Sequence, residues 1–139
     1  MSSEKQMHGH CLCGAVSVRT PVVTVVEACH CGMCRRWGGG PFLSVHIGPD
    51  VEITGEEHIT WFDSSEWAER GFCRHCGTHL FYKVKPTRHY IVPAGLFTDQ
   101  SVFEFKEQIL VDRKPDYYEF ANQTRMLTEK QFFEKYAQQ

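Results

Sequence analysis

The sequence predicts a mainly β fold in a single domain, residues 1–139, that ends in a short C-terminal helix. Short segments rich in β-branched and aromatic residues alternate with turn residues such as Gly48-Pro49-Asp50, which is the pattern of consecutive strands. Helically spaced apolar residues stand out only near the end of the chain, at Phe132, Phe133 and Tyr136. No linker or low-complexity stretch divides the chain, so one domain is expected.

The strands are predicted from these segments in chain order. They cover residues 15–19, 22–28, 42–47, 51–54, 59–62, 78–84, 90–93, 102–105 and 108–111. One short helical turn is expected after Cys34, at Arg35-Arg36-Trp37, and it must end at Gly38-Gly39-Gly40. The C-terminal helix is expected to begin at Thr128, which forms a capping box with Gln131.

Composition and charge exclude several classes of function. The apolar content of 42% is ordinary for a globular domain, and the net charge of −2 gives no general attraction to nucleic acid. The polar residues 1–6 lack the apolar stretch of a secretory signal, and the most apolar run, 22–26, is too short to span a bilayer. We therefore expect a cytoplasmic protein with neither a membrane nor a nucleic acid as partner.

Seven cysteines are the strongest functional signal. An odd number without an export signal argues against a disulfide framework. The cysteines form three clusters: Cys11-Leu12-Cys13, Cys29-His30-Cys31-Gly32-Met33-Cys34 and Cys73-Arg74-His75-Cys76. Residues i and i+2 of a strand face the same side, and a C-x-x-C turn folds two sulfurs toward one point. Glycines 14, 32 and 77 follow a cysteine and let the backbone approach a thiolate closely. The pattern predicts zinc, which prefers thiolates arranged in a tetrahedron.

Seven ligands divide most simply into four plus three. Cys29, Cys31 and Cys34 are close enough in sequence to hold one ion alone. The remaining pairs, Cys11/Cys13 and Cys73/Cys76, can complete a closed site. Closed four-ligand sites are structural, whereas three ligands with an open position are typical of catalysis. Two zinc ions per chain are expected, although spacing also permits other pairings, such as the two C-x-C pairs sharing one ion.

Four histidines lie beside the cysteine clusters: His10, His30, His75 and His79. We interpret them as hydrogen-bond donors behind the ligands or as surface residues. The His30 side chain should point away from the neighbouring sulfurs if its segment is extended. His8, His46, His58 and His89 show no partner in the sequence and receive no role.

The segments 9–14, 29–35 and 70–78, with Val92-Pro93-Ala94-Gly95-Leu96-Phe97 further on, resemble the glutathione-dependent formaldehyde-activating enzyme family, which includes centromere protein V. The resemblance covers about residues 8–120. It implies a β-tent fold, with antiparallel sheets around a structural zinc. It also implies that Cys11, Cys13, Cys73 and Cys76 bind the structural ion, and that Cys29, Cys31 and Cys34 bind a catalytic one.

The resemblance further implies a carbon–sulfur lyase that condenses glutathione with formaldehyde to S-hydroxymethylglutathione. An open three-thiolate zinc suits this chemistry, because a substrate thiol entering the fourth position is deprotonated and can attack an aldehyde. Arg35 and Arg36 are candidates for pairing with a glutathione carboxylate. The partner is therefore expected to be a small-molecule thiol or thiol adduct. The compact chain is also expected to lack the extra terminal segment of longer glutathione-binding members.

Two other functions compete with this interpretation. A non-catalytic, zinc-stabilised protein-binding module needs no open coordination position, so a fourth ligand supplied internally, for example by His30, would favour it. A redox protein resembling methionine-R-sulfoxide reductase needs a free cysteine nucleophile. None remains if all seven cysteines bind metal.

Overall fold

The computed structural model describes residues 5–137, with side chains described as far as residue 135. Within these residues the strands are β1 Gln6–His10, β2 Ser17–Pro21, β3 Val25–Cys29, β4 Phe42–Gly48, β5 Glu52–Thr54, β6 Ile59–Asp63, β7 Ala68–Cys73, β8 His79–Val84, β9 His89–Pro93, β10 Glu104–Ile109 and β11 Arg125–Leu127. The α-helices are α1 Gly32–Gly38 and α2 Glu129–Ala137, and short 3-10 helices lie at Glu56–His58, Ala94–Leu96 and Val111–Arg113. The predicted fold class, mainly β with a short C-terminal helix, is confirmed.

Both predicted helical regions are present. The capping box of α2 forms as expected, because the Gln131 N–H donates to Thr128 Oγ1 at 3.2 Å and the Thr128 N–H donates to Gln131 Oε1 at 2.8 Å. The side chain of Tyr136, which was part of the predicted apolar face, lies outside the described residues. The helix α1 begins at Gly32, earlier than the predicted turn, and Gly39 ends it with a left-handed φ of 85°.

All nine predicted strands overlap observed ones, seven of them one to one, and the differences have local causes. β1, β7 and β11 were not predicted, and the segments 102–105 and 108–111 belong to one strand, β10, whose pairing is irregular between Phe105 and Glu107. β1 contains Gly9, where a Cβ atom would lie 2.6 Å from the Leu96 carbonyl oxygen. β7 contains Gly71, where a Cβ atom would lie 2.9 Å from the Trp61 ring. Close packing therefore requires glycine at one position in each of these strands, and glycine weakens the sequence signal for a strand.

The chain divides into two compact units, of which the first comprises residues 45–103 and the described residues up to 24. It contains an antiparallel three-stranded sheet in the order β1-β2-β5. It also contains the strands β9-β8-β7-β6, in which neighbours pair antiparallel. The fully buried side chains of Val16, Val45, Leu80, Phe81 and Val92 form its core.

The second unit comprises residues 25–44 and the described residues from 104 onward. β10 pairs in parallel with both β3 and β11, whereas residues 42–44 of β4 pair antiparallel with β3. The strand pairing is therefore mixed and not antiparallel throughout. Ala28, Ile109 and Leu110 are buried here together with the polar Gln108. The single-domain organisation of residues 1–139 stays a prediction.

No helix in the part of the chain that the structure describes is both long enough and apolar enough to cross a membrane.

Candidate metal centres

Four cysteines of the first unit converge on one point. Their sulfur atoms, from Cys11, Cys13, Cys73 and Cys76, all lie within 4.8 Å of one another. Cys13 Sγ is 3.7 Å from Cys11 Sγ and 3.7 Å from Cys73 Sγ, although Cys13 and Cys73 are 60 residues apart. This four-cysteine cluster joins the end of β1 to the end of β7. It is the grouping expected from the sequence, and the alternative of two C-x-C pairs sharing one ion is not the arrangement that forms.

Two tight turns shape this cluster. The Gly14 N–H donates to the Cys11 carbonyl at 3.0 Å, and the Gly77 N–H donates to the Cys73 carbonyl at 2.8 Å. Both glycines have a left-handed backbone, with φ of 82° and 77°. Because a side chain there would be strained, these positions favour glycine, and the turns fold each pair of sulfurs to one side.

Hydrogen-bond donors point at sulfur atoms in this cluster. The Val16 N–H donates to Cys11 Sγ at 3.3 Å. The Thr78 hydroxyl accepts from the Leu12 N–H at 3.0 Å and lies 3.1 Å from Cys76 Sγ, so its own hydrogen is available to that sulfur. This hydrogen bond is the main reason why the pKa of Cys76 is lowered to about 5. Donors at sulfur favour the thiolate form, which is the form that binds metal.

Three cysteines of the second unit form a separate cluster. Cys29 ends β3, Cys31 caps α1, Cys34 lies in the first turn of that helix, and their sulfurs are within 4.8 Å of one another. The Cys34 N–H donates to Cys31 Sγ at 3.3 Å. The hydrogen bond from Cys29, followed in size by the one from Cys34, lowers the pKa of Cys31 to about 2. The hydrogen bond with Cys31 is in turn the largest cause that raises the pKa of Cys29. The three sulfurs cannot all ionise without a nearby positive charge. A thiophilic divalent ion therefore fits this three-cysteine cluster, and it fits the four-cysteine cluster for the same reason.

The three-cysteine cluster has no fourth ligand among the residues that the structure describes. No further Cys, His, Asp or Glu joins the cluster within that range. Cys34 is buried, whereas Cys29 and Cys31 are partly exposed residues. An ion held here by three thiolates would have one position left for a ligand from outside the chain.

His30 is fully buried between the cysteines and is not a ligand. Its Nδ1 lies 2.7 Å from the Tyr118 hydroxyl and its Nε2 lies 2.9 Å from Gln108 Oε1, so both ring nitrogens are engaged elsewhere. Burial lowers the pKa of His30. This arrangement agrees with the expected orientation of the ring away from the sulfurs.

The other histidines also lie outside both clusters. His10 Nδ1 is 2.8 Å from the Cys11 carbonyl, behind the ligand. His75 Nε2 is 2.9 Å from His58 Nδ1. His46 Nε2 is likewise 3.0 Å from His89 Nδ1, so two histidines for which no role was predicted contact each other. Burial lowers the pKa of His79 in β8.

Arg35 and Arg36 lie over the start of α1. A Cβ atom at Gly32 would lie 3.1 Å from Arg36 Nη1 and 3.6 Å from Arg35 Nη2. Arg35 Nε donates to the His30 carbonyl at 3.1 Å, which fixes the side chain beside the three-cysteine cluster. No ion pair joins either guanidinium to a carboxylate among the described residues. Neither positive charge is therefore neutralised by a carboxylate within the described part of the chain.

Sequence reasoning missed four residues that support the clusters: Thr78, Gln108, Tyr118 and Thr124. Thr78 carries a usable signal, since it follows the C-x-x-C-G turn directly. Gln108 precedes Ile109-Leu110 in a strand, and a lone polar residue in such a setting points to a buried hydrogen bond. Tyr118 and Thr124 lie in an irregular segment with no pattern that predicts their contacts.

Comparison with known proteins gives consistent matches. A family model described as glutathione-dependent formaldehyde-activating enzyme matches residues 6–113. An uncharacterized lyase of Schizosaccharomyces pombe is 34% identical over 125 residues, covering 88% of this chain and 91% of that protein. A putative glutathione-dependent formaldehyde-activating enzyme of Podospora anserina is 30% identical over 81 residues, which are 54% of this chain and 38% of that protein.

Among solved structures, the crystal structure of a Rhodobacter sphaeroides protein is similar, with a TM-score of 0.58 and 25% identity. The match covers 66% of this chain and 88% of the other.

Proposed function

The chain belongs to the family of glutathione-dependent formaldehyde-activating enzymes, and from that premise we propose that it is a carbon–sulfur lyase acting on a thiol adduct at the three-cysteine cluster. The substrate pair is glutathione and formaldehyde, and the product is S-hydroxymethylglutathione. One observation carries the proposal. The three-cysteine cluster lacks a fourth ligand from the described residues and lies beside two arginines without carboxylate partners in that part of the chain.

Two zinc ions per chain fit the two cysteine clusters. Cys11, Cys13, Cys73 and Cys76 would hold a structural ion, because they close a site between distant segments. Cys29, Cys31 and Cys34 would hold the second ion. When bound there, zinc supplies positive charge that keeps a coordinated substrate thiol ionised at neutral pH. Three thiolates already donate charge, which favours capture of a thiol over activation of water.

The reaction is an addition without oxidation or reduction. The sulfur of the thiol forms a bond to the carbonyl carbon of formaldehyde, and the carbonyl oxygen takes up the proton that the thiol released. In the reverse direction the same carbon–sulfur bond breaks. Arg35, held by its bond to the His30 carbonyl, and Arg36 bind a glutathione carboxylate and so place the sulfur over the cluster.

Binding of a thiol to the cobalt-substituted protein tests the proposal. Cobalt in the three-cysteine cluster reports a new thiolate ligand as a rise in sulfur-to-metal charge-transfer absorption. Glutathione should raise this absorption, whereas its analogue with a hydroxyl in place of the thiol should not. Adduct formation from glutathione and formaldehyde should also be faster with the zinc protein than in buffer alone.

The variant Cys34→Ser is the matched control for this experiment. It removes one ligand from the three-cysteine cluster and leaves the four-cysteine cluster intact, so it should lose the response to glutathione. A native protein that shows no response to any small thiol would favour the non-catalytic binding module. A response without faster adduct formation would retain the open position and contradict the proposed reaction.

A further inference from the structure

A chain of hydrogen bonds connects four residues of the second unit, including His30, which lies between two cysteines of the three-cysteine cluster. Gln108 Nε2 donates to Thr124 Oγ1 at 3.0 Å, and Gln108 Oε1 lies 2.9 Å from His30 Nε2. His30 Nδ1 then lies 2.7 Å from the Tyr118 hydroxyl. Gln108 and His30 are buried, at 2% and 0% exposure, so the polar groups in the middle of this chain depend on each other.

The direction of these hydrogen bonds follows from their chemistry. Because the Gln108 amide nitrogen faces Thr124, its oxygen faces His30 and can only accept. The hydrogen of the neutral imidazole therefore lies on Nε2, and Nδ1 is the acceptor. The Tyr118 hydroxyl must donate to Nδ1. The phenol oxygen can still accept a hydrogen bond, and no other residue in the described part of the chain donates one to it.

Tyr118 contacts the segment that carries the three-cysteine cluster through His30, the residue between Cys29 and Cys31. Its ring stacks on His30 with centroids 5.5 Å apart, and it remains partly exposed. Burial raises the pKa of Tyr118 most, the neighbouring Tyr117 raises it next, the guanidinium of Arg35 lowers it, and Cys29 raises it by the smallest amount. The segment that carries Tyr118 lies beyond the residues 6–113 that match the family model.

The segment around Tyr118 is held in place independently of any ligand. Lys114 Nζ donates to the carbonyls of Pro115 at 3.1 Å and Tyr118 at 2.6 Å. The ring of Phe120 packs edge-on against Phe105 of β10, with centroids 4.9 Å apart. The phenol is therefore positioned before a substrate arrives, which lowers the cost of using it for recognition.

We propose that Tyr118 contacts the substrate: its oxygen accepts a hydrogen bond from the hydroxyl group on the carbon bonded to sulfur, with His30 and Gln108 as positioning residues. This inference rests on the proposed function and names the class of ligand that the site prefers. That class is the hemithioacetals, such as an S-hydroxymethyl thiol, as opposed to thioethers of the same size. No covalent bond of Tyr118 changes in this role.

The test compares Tyr118→Phe with Tyr117→Phe. Tyr117 is the neighbouring residue, is 73% exposed and packs its ring on Tyr118, so its variant controls for loss of a phenol in the same segment. Binding of S-hydroxymethylglutathione and of S-methylglutathione to the zinc-loaded proteins is measured by titration. The native protein and Tyr117→Phe should prefer the hydroxymethyl form by about three- to tenfold, the range of one neutral hydrogen bond. Tyr118→Phe should bind both forms equally.

A structural readout accompanies the titration. Nitrogen chemical shifts of the His30 ring should show hydrogen on Nε2 and none on Nδ1 in the native protein and in both variants. A hydrogen on Nδ1 in the native protein, or an undiminished preference in Tyr118→Phe, overturns the inference. Binding of plain glutathione to the cobalt protein separates the two proposals. If glutathione binds but the native protein shows no hydroxymethyl preference, only the role of Tyr118 fails; if no thiol binds, the proposed function fails with it.

Discussion

Arg35 combines a fixed position with a free charge. Its Nε donates a hydrogen bond to the His30 carbonyl at 3.1 Å, and its Nη2 lies close to Gly32. A guanidinium that is anchored by one nitrogen loses less side-chain freedom when the other nitrogens bind a carboxylate. The recognition of a charged thiol should therefore depend on this residue more than its partly exposed position alone suggests.

Replacing Arg35 with glutamine should weaken glutathione binding without affecting the metal. We expect Arg35→Gln to raise the dissociation constant of glutathione about fivefold, which corresponds to about 1 kcal/mol for a partly exposed ion pair. 2-Mercaptoethanol has no carboxylate and should bind the variant as it binds the native protein. Titration of both thiols into the cobalt protein measures this. An equal loss for both thiols would mean that Arg35 supports the cluster and does not recognise a carboxylate.

His46 is expected to make stability depend on pH. Burial, and then the charge of His89, lowers the pKa of His46 below its ordinary value of 6.5. As the pH falls through that value, the unfolded chain takes up a proton that the folded chain does not, so the free energy of unfolding decreases. His46→Asn should therefore lose less stability than the native protein between pH 7.5 and about 5.5. Thermal unfolding of both zinc-loaded proteins at the two pH values checks this, and parallel losses would contradict it.

For individual residues, the sequence predicts which cysteines lie together better than it predicts the residues that surround them. Cysteine spacing of two or three residues limits where the sulfurs can point, which is why the ligand groups could be predicted. The partner of Cys76 is Thr78, two residues away, and is equally local. Tyr118 is 88 residues from His30, and nothing in the local pattern encodes a contact over that distance.

The helix α2 is an element whose start depends on a few hydrogen bonds. Besides the capping box of Thr128 and Gln131, the Glu129 N–H donates to Asp112 Oδ1 at 2.8 Å. Arg113 also pairs with Glu129 Oε1 at 2.6 Å. The short helix at Val111–Arg113 therefore supports the first turn of α2 alongside its own cap.

Removing the Thr128 hydroxyl should loosen α2 locally. We expect Thr128→Ala to cost about 1 kcal/mol, because one N–H of the first turn loses its acceptor while the bond to Asp112 remains. Amide hydrogen exchange in the first turn of α2 should become about fivefold faster. The exposed Lys130 in the same helix provides the control, since Lys130→Ala removes no cap. Equal exchange in the two variants would contradict a role for the cap.

Charged residues explain one strand that the sequence missed, β7, and one that it divided in two, β10. β7 carries Glu69-Arg70-Gly71, and β10 carries Lys106-Glu107 at its irregular pairing, so charges interrupt the expected apolar alternation. Glu107 is nevertheless only 6% exposed. Its charge can be buried because it is neutralised by Arg125 and Lys135, which lie 3.1 Å and 3.5 Å from its carboxylate. A charged residue can occupy a strand when distant residues neutralise it, and those residues are not visible in a local window.

At the scale of the whole molecule, each cysteine cluster lies within one compact unit. The four-cysteine cluster belongs to the first unit and joins residues 60 apart, whereas the three-cysteine cluster spans one short segment of the second unit. Spacing favoured this division but also permitted other pairings. The joining of Cys11 and Cys13 to Cys73 and Cys76 follows from β1 and β7, neither of which was predicted as a strand. The ligand pattern was thus more informative than the strand pattern about which distant segments meet.

The difference in span leads to the last prediction, that the two clusters respond differently to loss of a ligand. Closing a long loop removes more entropy from the unfolded chain than closing a short one, so metal in the four-cysteine cluster should contribute more to folding. Apparent binding energies of structural zinc are about 10–16 kcal/mol, and a chain of this length has a total stability of only about 7–20 kcal/mol.

Cys76→Ser should consequently unfold the protein or make it insoluble, whereas Cys34→Ser should remain folded and carry one zinc ion in place of two. Metal analysis, circular dichroism and thermal unfolding of the two variants measure the difference. The control is Met33→Leu, which changes a residue between two cysteines of the three-cysteine cluster without removing a ligand. Equal stability of Cys76→Ser and Cys34→Ser would contradict the structural role of the four-cysteine cluster. A native protein with one zinc ion and free thiols in the other cluster would contradict the two-ion stoichiometry. Loss of both ions in Cys34→Ser would show that the clusters depend on each other, which their separate ligand sets do not predict.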